Sequence, residues 1–184
     1  LTLRFWPEYG FTTALKWGVF HSISAFCNAG FDIFGQISPG GSLTIFQSDP
    51  LVLLTLSALV IIGGLGFLVW QDVLLNRRFK KLSVYSRLVL AATFGLLLLG
   101  AVAVALTEWN NPATLGPMSV GDKLLNSFFQ SVTLRTAGFA SVDQALLTEG
   151  SKAVSMVLML IGGSPGSTAG GMKTTTFAVL LATA

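Results

Sequence analysis

The sequence contains one cysteine, Cys27, and one histidine, His21, in 184 residues. That excludes an internal disulfide framework, a cysteine-rich metal centre and a multi-histidine site. Charge is scarce as well. Only 10% of the residues are charged and 52% are apolar, whereas soluble domains carry about 25% charged residues. Eleven Lys and Arg with eight Asp and Glu cannot cover the surface of a water-soluble globule of this length. A soluble enzyme, a disordered tail and a nucleic-acid-binding domain are therefore excluded as starting classes. With a mean hydropathy of +0.73, the composition is that of an integral all-α membrane protein.

The apolar residues fall into runs. Pro50 to Gln71, Leu88 to Thr107 and Ala153 to Met172 contain no charge. A span needs about 20 residues at 1.5 Å each, so the first two read as simple spans. The third continues past Lys173 to Ala184 and is interrupted by the run from Gly162 to Gly171. It reads as a broken helix. Arg77, Arg78, Lys80, Lys81 and Arg87 cluster in the connection between the first two spans, and no acid lies between Val73 and Thr107. The positive-inside rule places this connection in the cytoplasm. The chain starts at Leu1, without a methionine, and ends at Ala184 inside an apolar run, and reads as an internal piece of a longer membrane protein.

Trp17 to Phe31 and Leu124 to Leu134 are uncharged but too short to span. Each can be a re-entrant half-helix or a surface amphipathic helix. A repeat favours the first. Phe20-His-Ser-Ile-Ser-Ala-Phe-Cys-Asn-Ala-Gly30-Phe31 resembles Phe129-Gln-Ser-Val-Thr-Leu-Arg-Thr-Ala-Gly138-Phe139, with Gly30 and Gly138 separated by 108 positions. Downstream, Ile61-Ile62-Gly63-Gly64 resembles Leu160-Ile161-Gly162-Gly163. The repeating module is span, re-entrant loop, span, and internal repeats mark channel and transporter folds.

Half-helices over Thr12–Ala25 and Asp122–Thr133 would enter from outside. Their C-terminal ends, which carry partial negative charge, would point inward and favour a cation. Gly30 and Gly138 are the natural pivots for a loop whose carbonyls line a path, because glycine reaches unusual dihedrals without steric penalty. Arg135 is expected to turn away from such a path, onto carbonyls or an acid. Asp32 can attract cations at an outer mouth or be a solvated loop acid. His21 is expected to pack, and Cys27 to be a small buried residue. Gly166 to Thr174 lacks the phosphate-loop spacing, since Met172 separates Gly171 from Lys173 and no strand precedes it.

Three segments carry a family resemblance. Ser24 to Asp32, Arg135 to Phe139 and Gly163 to Thr175 resemble the Trk/Ktr/HKT superfamily of potassium transporters, and are most similar to the Ktr-type membrane subunit. The resemblance implies four repeats around one pore in pseudo-fourfold arrangement. Residues 1–77 would hold the pore loop and second span of the second repeat, 78–87 a cytoplasmic basic loop, and 88–184 most of the third repeat. It implies potassium ligation by backbone groups of Cys27, Asn28, Ala29, Gly30 and Phe31, and of Thr136, Ala137, Gly138 and Phe139. It implies an intramembrane gating loop made of Gly162, Gly163, Ser164, Pro165, Gly166, Ser167, Thr168, Ala169, Gly170, Gly171, Met172 and Lys173. It also implies potassium as cargo with sodium as a stimulating ion, and no covalent cofactor. The implied setting is a bacterial plasma membrane, with the missing repeats, a homodimer and a cytosolic RCK-type nucleotide-binding ring as partners, and no nucleic acid. The residues alone also allow a secondary transporter of a small solute with a midplane site. An enzyme finds no support, because no paired carboxylates and no nucleophile–histidine pair lie in the spans.

Overall fold

The computed structural model describes residues 1–183, apart from the side chains of residues 181 and 182. Among these residues the regular structure is helical: α1 (Thr2–Tyr9), α2 (Phe11–Phe26), α3 (Pro50–Leu65), α4 (Phe67–Asn76), α5 (Val84–Glu108), α6 (Val120–Thr133), α7 (Glu149–Leu160) and α8 (Thr174–Thr183). The one β-type feature is an isolated parallel bridge between Ile161 and Met172. The expected end of the last segment at Ala184 lies outside the described residues.

Helix α5 is the unbroken apolar helix. Ser83 caps it through a bond from the Ser86 amide, and it runs for 25 residues, or about 37 Å at 1.5 Å per residue. Among the described residues it alone is long and apolar enough to cross a membrane as one helix. Phe94, Leu99 and Leu106 lie exposed along it, while Val89, Leu97 and Val104 are buried against the remaining helices. Helix α6 packs along it, where the Ser131 hydroxyl donates to the Leu97 carbonyl across 2.8 Å. A Cβ on Gly100 would lie 2.3 Å from that hydroxyl oxygen, so glycine sets this approach.

The run from Pro50 to Gln71 does not form the straight span expected. Asp49 caps α3 through bonds from the Leu51 and Val52 amides. The helix stops at Leu65, and α4 leaves at 96° to it. Gly66, at φ 82 and ψ 153, occupies a region that is essentially closed to other residues. The last segment is interrupted where its glycines stand, between Leu160 and Thr174. Helices α2 and α6 exceed their expected bounds by a residue or two, and α5 gains a turn at its N-terminal end.

At the N-terminal end, aromatic rings make the core. Phe5 and Trp17 meet edge to face with centroids 5.9 Å apart, and His21 stacks on Phe34 at 4.1 Å. His21 accepts the Ile33 amide at Nε2 (3.3 Å). Its Nδ1 therefore carries the proton and donates to the Trp17 carbonyl at 2.7 Å. The imidazole packs as expected, and it also pins the loop that follows α2.

Candidate functional site

Helices α2 and α6 end in loops with the same local construction. The Ala29 amide donates to the Ser24 carbonyl in the first, and the Ala137 amide to the Thr133 carbonyl in the second, each at 2.9 Å. The Ser24 hydroxyl donates to the Phe31 carbonyl, and the Thr133 hydroxyl to the Phe139 carbonyl, each at 2.7 Å. The backbone turns left-handed twice in each loop, at Asn28 and Gly30 and at Thr136 and Gly138. Asparagine tolerates that conformation. Threonine, being β-branched, does not do so readily.

The two loops meet at their glycines. A Cβ on Gly30 would lie 2.3 Å from the Ala137 carbonyl oxygen and 2.7 Å from the Gly138 Cα; one on Gly138 would lie 3.3 Å from the Gly30 Cα. Their surroundings differ. Ala137 and Phe139 are buried, whereas Phe31 is 71% exposed. A space of about 330 Å³ opens along the second loop beside Ala29, Thr136 and Gly138. Cys27 is exposed, contrary to the buried position expected. It is the C-cap of α2 and lies beyond the helix face that packs. Asp32 accepts the Phe34 amide at 3.2 Å, a turn-capping role.

The segment from Ile161 to Lys173 lies against both loops. Its base is closed by bonds from the Gly162 amide to the Met172 carbonyl and from the Met172 amide to the Leu160 carbonyl, each 3.0 Å. A Cβ on Gly162 would lie 1.7 Å from the Gly170 carbonyl oxygen, so no larger residue fits the closure. Thr168 accepts from Asn28 Nδ2 (2.9 Å) and donates to the Phe26 carbonyl (2.8 Å). The Gly170 amide donates to the Thr136 hydroxyl at 2.9 Å. Arg135 is buried and turns onto a carbonyl as expected, donating from Nη2 to Gly162 O at 3.0 Å. Lys173 donates to the Ala169 carbonyl at 2.6 Å, inside its own segment.

The same segment completes the broken end of α3. Carbonyls that lose their helical partners at Gly66 must be satisfied elsewhere. Ser164 donates to Gly64 O and Leu65 O, the Thr168 amide to Gly63 O, and Trp70 Nε1 to Ile62 O. The Phe67 amide in turn donates to Gly166 O at 3.3 Å, and the Tyr85 hydroxyl to Pro165 O at 3.1 Å. Residues 63–67 and 162–168 thus supply each other's missing hydrogen bonds. Neither this interlock nor the Asn28–Thr168 bond was foreseeable from local sequence pattern. The visible trace was a third glycine, Gly66, following the pair at Gly63 and Gly64.

Comparison with known proteins agrees with the motifs. Residues 3–184 match the family TrkH, described as "Cation transport protein". The chain is 42% identical over 181 residues to the Potassium/sodium uptake protein NtpJ of Enterococcus hirae, covering 98% of this chain and 39% of that protein. It is 43% identical to the Ktr system potassium uptake protein B of Bacillus subtilis, covering 98% of this chain and 40% of that protein. It is 46% identical to the protein of the same name from Vibrio alginolyticus, covering 97% and 39% respectively. The chain spans about 40% of the length of these curated relatives. The chain belongs to the TrkH family of cation transport proteins.

Proposed function

We propose that this chain is part of a potassium uptake protein, and that its two glycine loops form half of a single selectivity filter. The observation carrying this reading is the side-by-side placement of Gly30 and Gly138, each with positive φ, at the C-terminal ends of α2 and α6. Helix C-termini favour cations, and carbonyls of such loops can replace an ion's hydration shell. The ligating backbone is that of Cys27 to Phe31 and of Thr136 to Phe139. The relatives' names, which specify potassium or potassium and sodium uptake, support the choice of ion.

In this reading residues 1–77 and 88–184 belong to two successive span–loop–span repeats joined by the cytoplasmic residues 78–87. The segment from Gly162 to Lys173 acts as an intramembrane gate, since it lies against both glycine loops and is held by bonds that can be exchanged. Sodium acts as cargo or stimulating ion. The remaining repeats of the same protein close the pore in the plasma membrane. The "Ktr system" names of two relatives support a multi-component assembly, here a membrane dimer on an RCK-type nucleotide-binding ring.

The test is rubidium uptake by the full-length parent protein in cells lacking their own potassium uptake systems, with Gly138→Ser as the variant. A side chain at φ +89 and 3.3 Å from Gly30 must shift both loops. Uptake by the wild type with potassium–sodium discrimination lost in the variant is expected. Unchanged discrimination at normal expression would overturn the filter.

A further inference from the structure

Between the first glycine loop, the second and the 162–171 segment lies a small cavity of about 10 Å³. Asn28 and Arg135 reach it, and Val60, Leu97, Val132 and Ala169 complete most of the wall. Two polar atoms at this place are buried and have no protein partner among the described residues: Asn28 Oδ1 and Arg135 Nε. One is an acceptor only and the other a donor only. The bonded polar atoms of the two side chains have partners on the 162–171 segment. Asn28 Nδ2 donates to Thr168, and Arg135 Nη2 donates to Gly162 O.

We propose that one water molecule occupies this cavity, accepting from Arg135 Nε and donating to Asn28 Oδ1, and that it joins the two glycine loops and the 162–171 segment into one hydrogen-bonded unit. The volume suits one water and no more. The guanidinium charge excludes a cation, and the size excludes a hydrated anion. An unpartnered buried donor and an unpartnered buried acceptor, on two residues that line one small space, are what a structural water satisfies. The resulting circuit runs from Asn28 through Thr168 to the segment, from Gly162 to Arg135, and through the water back to Asn28. Asn28 and Arg135 are positioning residues in it. Displacing the segment breaks the circuit at Thr168 and Gly162 and frees the side chains that fix both loops. The coupling of segment position to ion discrimination rests on the filter reading above; the water itself does not.

The experiment uses the full-length parent protein. A density map that resolves ordered water is expected to show one peak within hydrogen-bond distance of both atoms in the wild type. It is expected to show none in Arg135→Lys, whose ammonium can reach Gly162 O but has no donor at the Nε position. Asn28→Gly, which tolerates the positive φ of 50, serves the same comparison if the lysine variant does not reach the membrane. In rubidium uptake competed by sodium, Arg135→Lys and Asn28→Gly are each expected to reduce potassium–sodium discrimination by about threefold or more. The double variant is expected to be no worse than the more severe single one, because both disrupt the same water site. A dry cavity in the wild-type map, with both atoms turned onto protein partners, overturns the water. Single effects that multiply in the double variant overturn the coupling. A wild type that carries no rubidium overturns the filter reading instead, and the map then decides the water by itself.

Discussion

Ser164 donates to the Gly64 carbonyl twice, from its backbone amide and from its hydroxyl, each at 3.1 Å, and its hydroxyl also reaches the Leu65 carbonyl. One small side chain therefore completes a helix that ends about a hundred positions earlier in the chain. A buried carbonyl left without a donor costs about 1–3 kcal/mol. Ser164→Ala removes the hydroxyl and keeps the amide, so it weakens the docking of the 162–171 segment without unfolding α3. Faster amide exchange confined to residues 161–173, with a rubidium flux raised by about fivefold, is the expected result. Unchanged exchange there would show that the hydroxyl contributes nothing to the docking.

Thr136 holds a strained backbone, at φ 68, while its hydroxyl accepts the Gly170 amide. Strain of this type costs about 1–3 kcal/mol and persists only where the surroundings enforce it. Thr136→Val keeps the shape and removes the acceptor. Under the proposed function, the segment opens more readily and the second glycine loop is less fixed. Competition uptake should show both a higher flux and lower potassium–sodium discrimination. Higher flux alone would separate gate from filter at this position.

The glycine at the bend of α3 and α4 offers a matched control. Gly66→Ala places a Cβ 2.7 Å from the Pro165 carbonyl oxygen at a φ of +82. Gly95, in the middle of α5, would meet nothing within 4 Å, and alanine there improves helix propensity by about 1 kcal/mol. Thermal unfolding in detergent should therefore fall for Gly66→Ala, and hold or rise slightly for Gly95→Ala. Equal values for the two variants would remove the claim that the bend needs glycine.

These contrasts also explain what could be seen in the sequence. Helices α2 and α6 and the loops that follow them were legible because the chain states them twice, with Ser24 matched by Thr133 and Gly30 by Gly138. The interruption after Leu160 was legible because glycine, serine and proline crowd it. The bend at Gly66 was not. Leu, Val, Ile and Trp continue on both sides of it, and hydropathy contains no direction. What stabilises the bend is Ser164 and Thr168, and no local pattern brings residues so distant together. The Asn28–Thr168 bond, 140 positions apart, was hidden for the same reason. Cys27 was misread because small apolar residues usually pack, whereas this one caps a helix end at a surface.

Glu108 ends α5 and is fully buried. Four donors face its carboxylate. The Thr148 amide and hydroxyl bind Oε1 at 2.8 and 2.7 Å, and the Thr114 hydroxyl and Asn111 Nδ2 bind Oε2 at 2.5 and 2.7 Å. Thr148 is also the N-cap of α7, so the acid ties the end of one helix to the start of another and favours the latter's dipole. A site with four donors and no acceptor is built for the ionised form. Glu108→Gln is isosteric but presents an amide N–H₂ to two of those donors, whichever way it is turned. Bonds to charged groups contribute about 1.5–3 kcal/mol each, so a loss of about 3 kcal/mol is expected, read as a lower unfolding midpoint in detergent. Glu108→Asp keeps the charge but shortens the reach, and should fall between glutamine and wild type. If glutamine instead unfolds with the wild type, the carboxyl is carried protonated and the helix junction is held by its hydrogen bonds without charge.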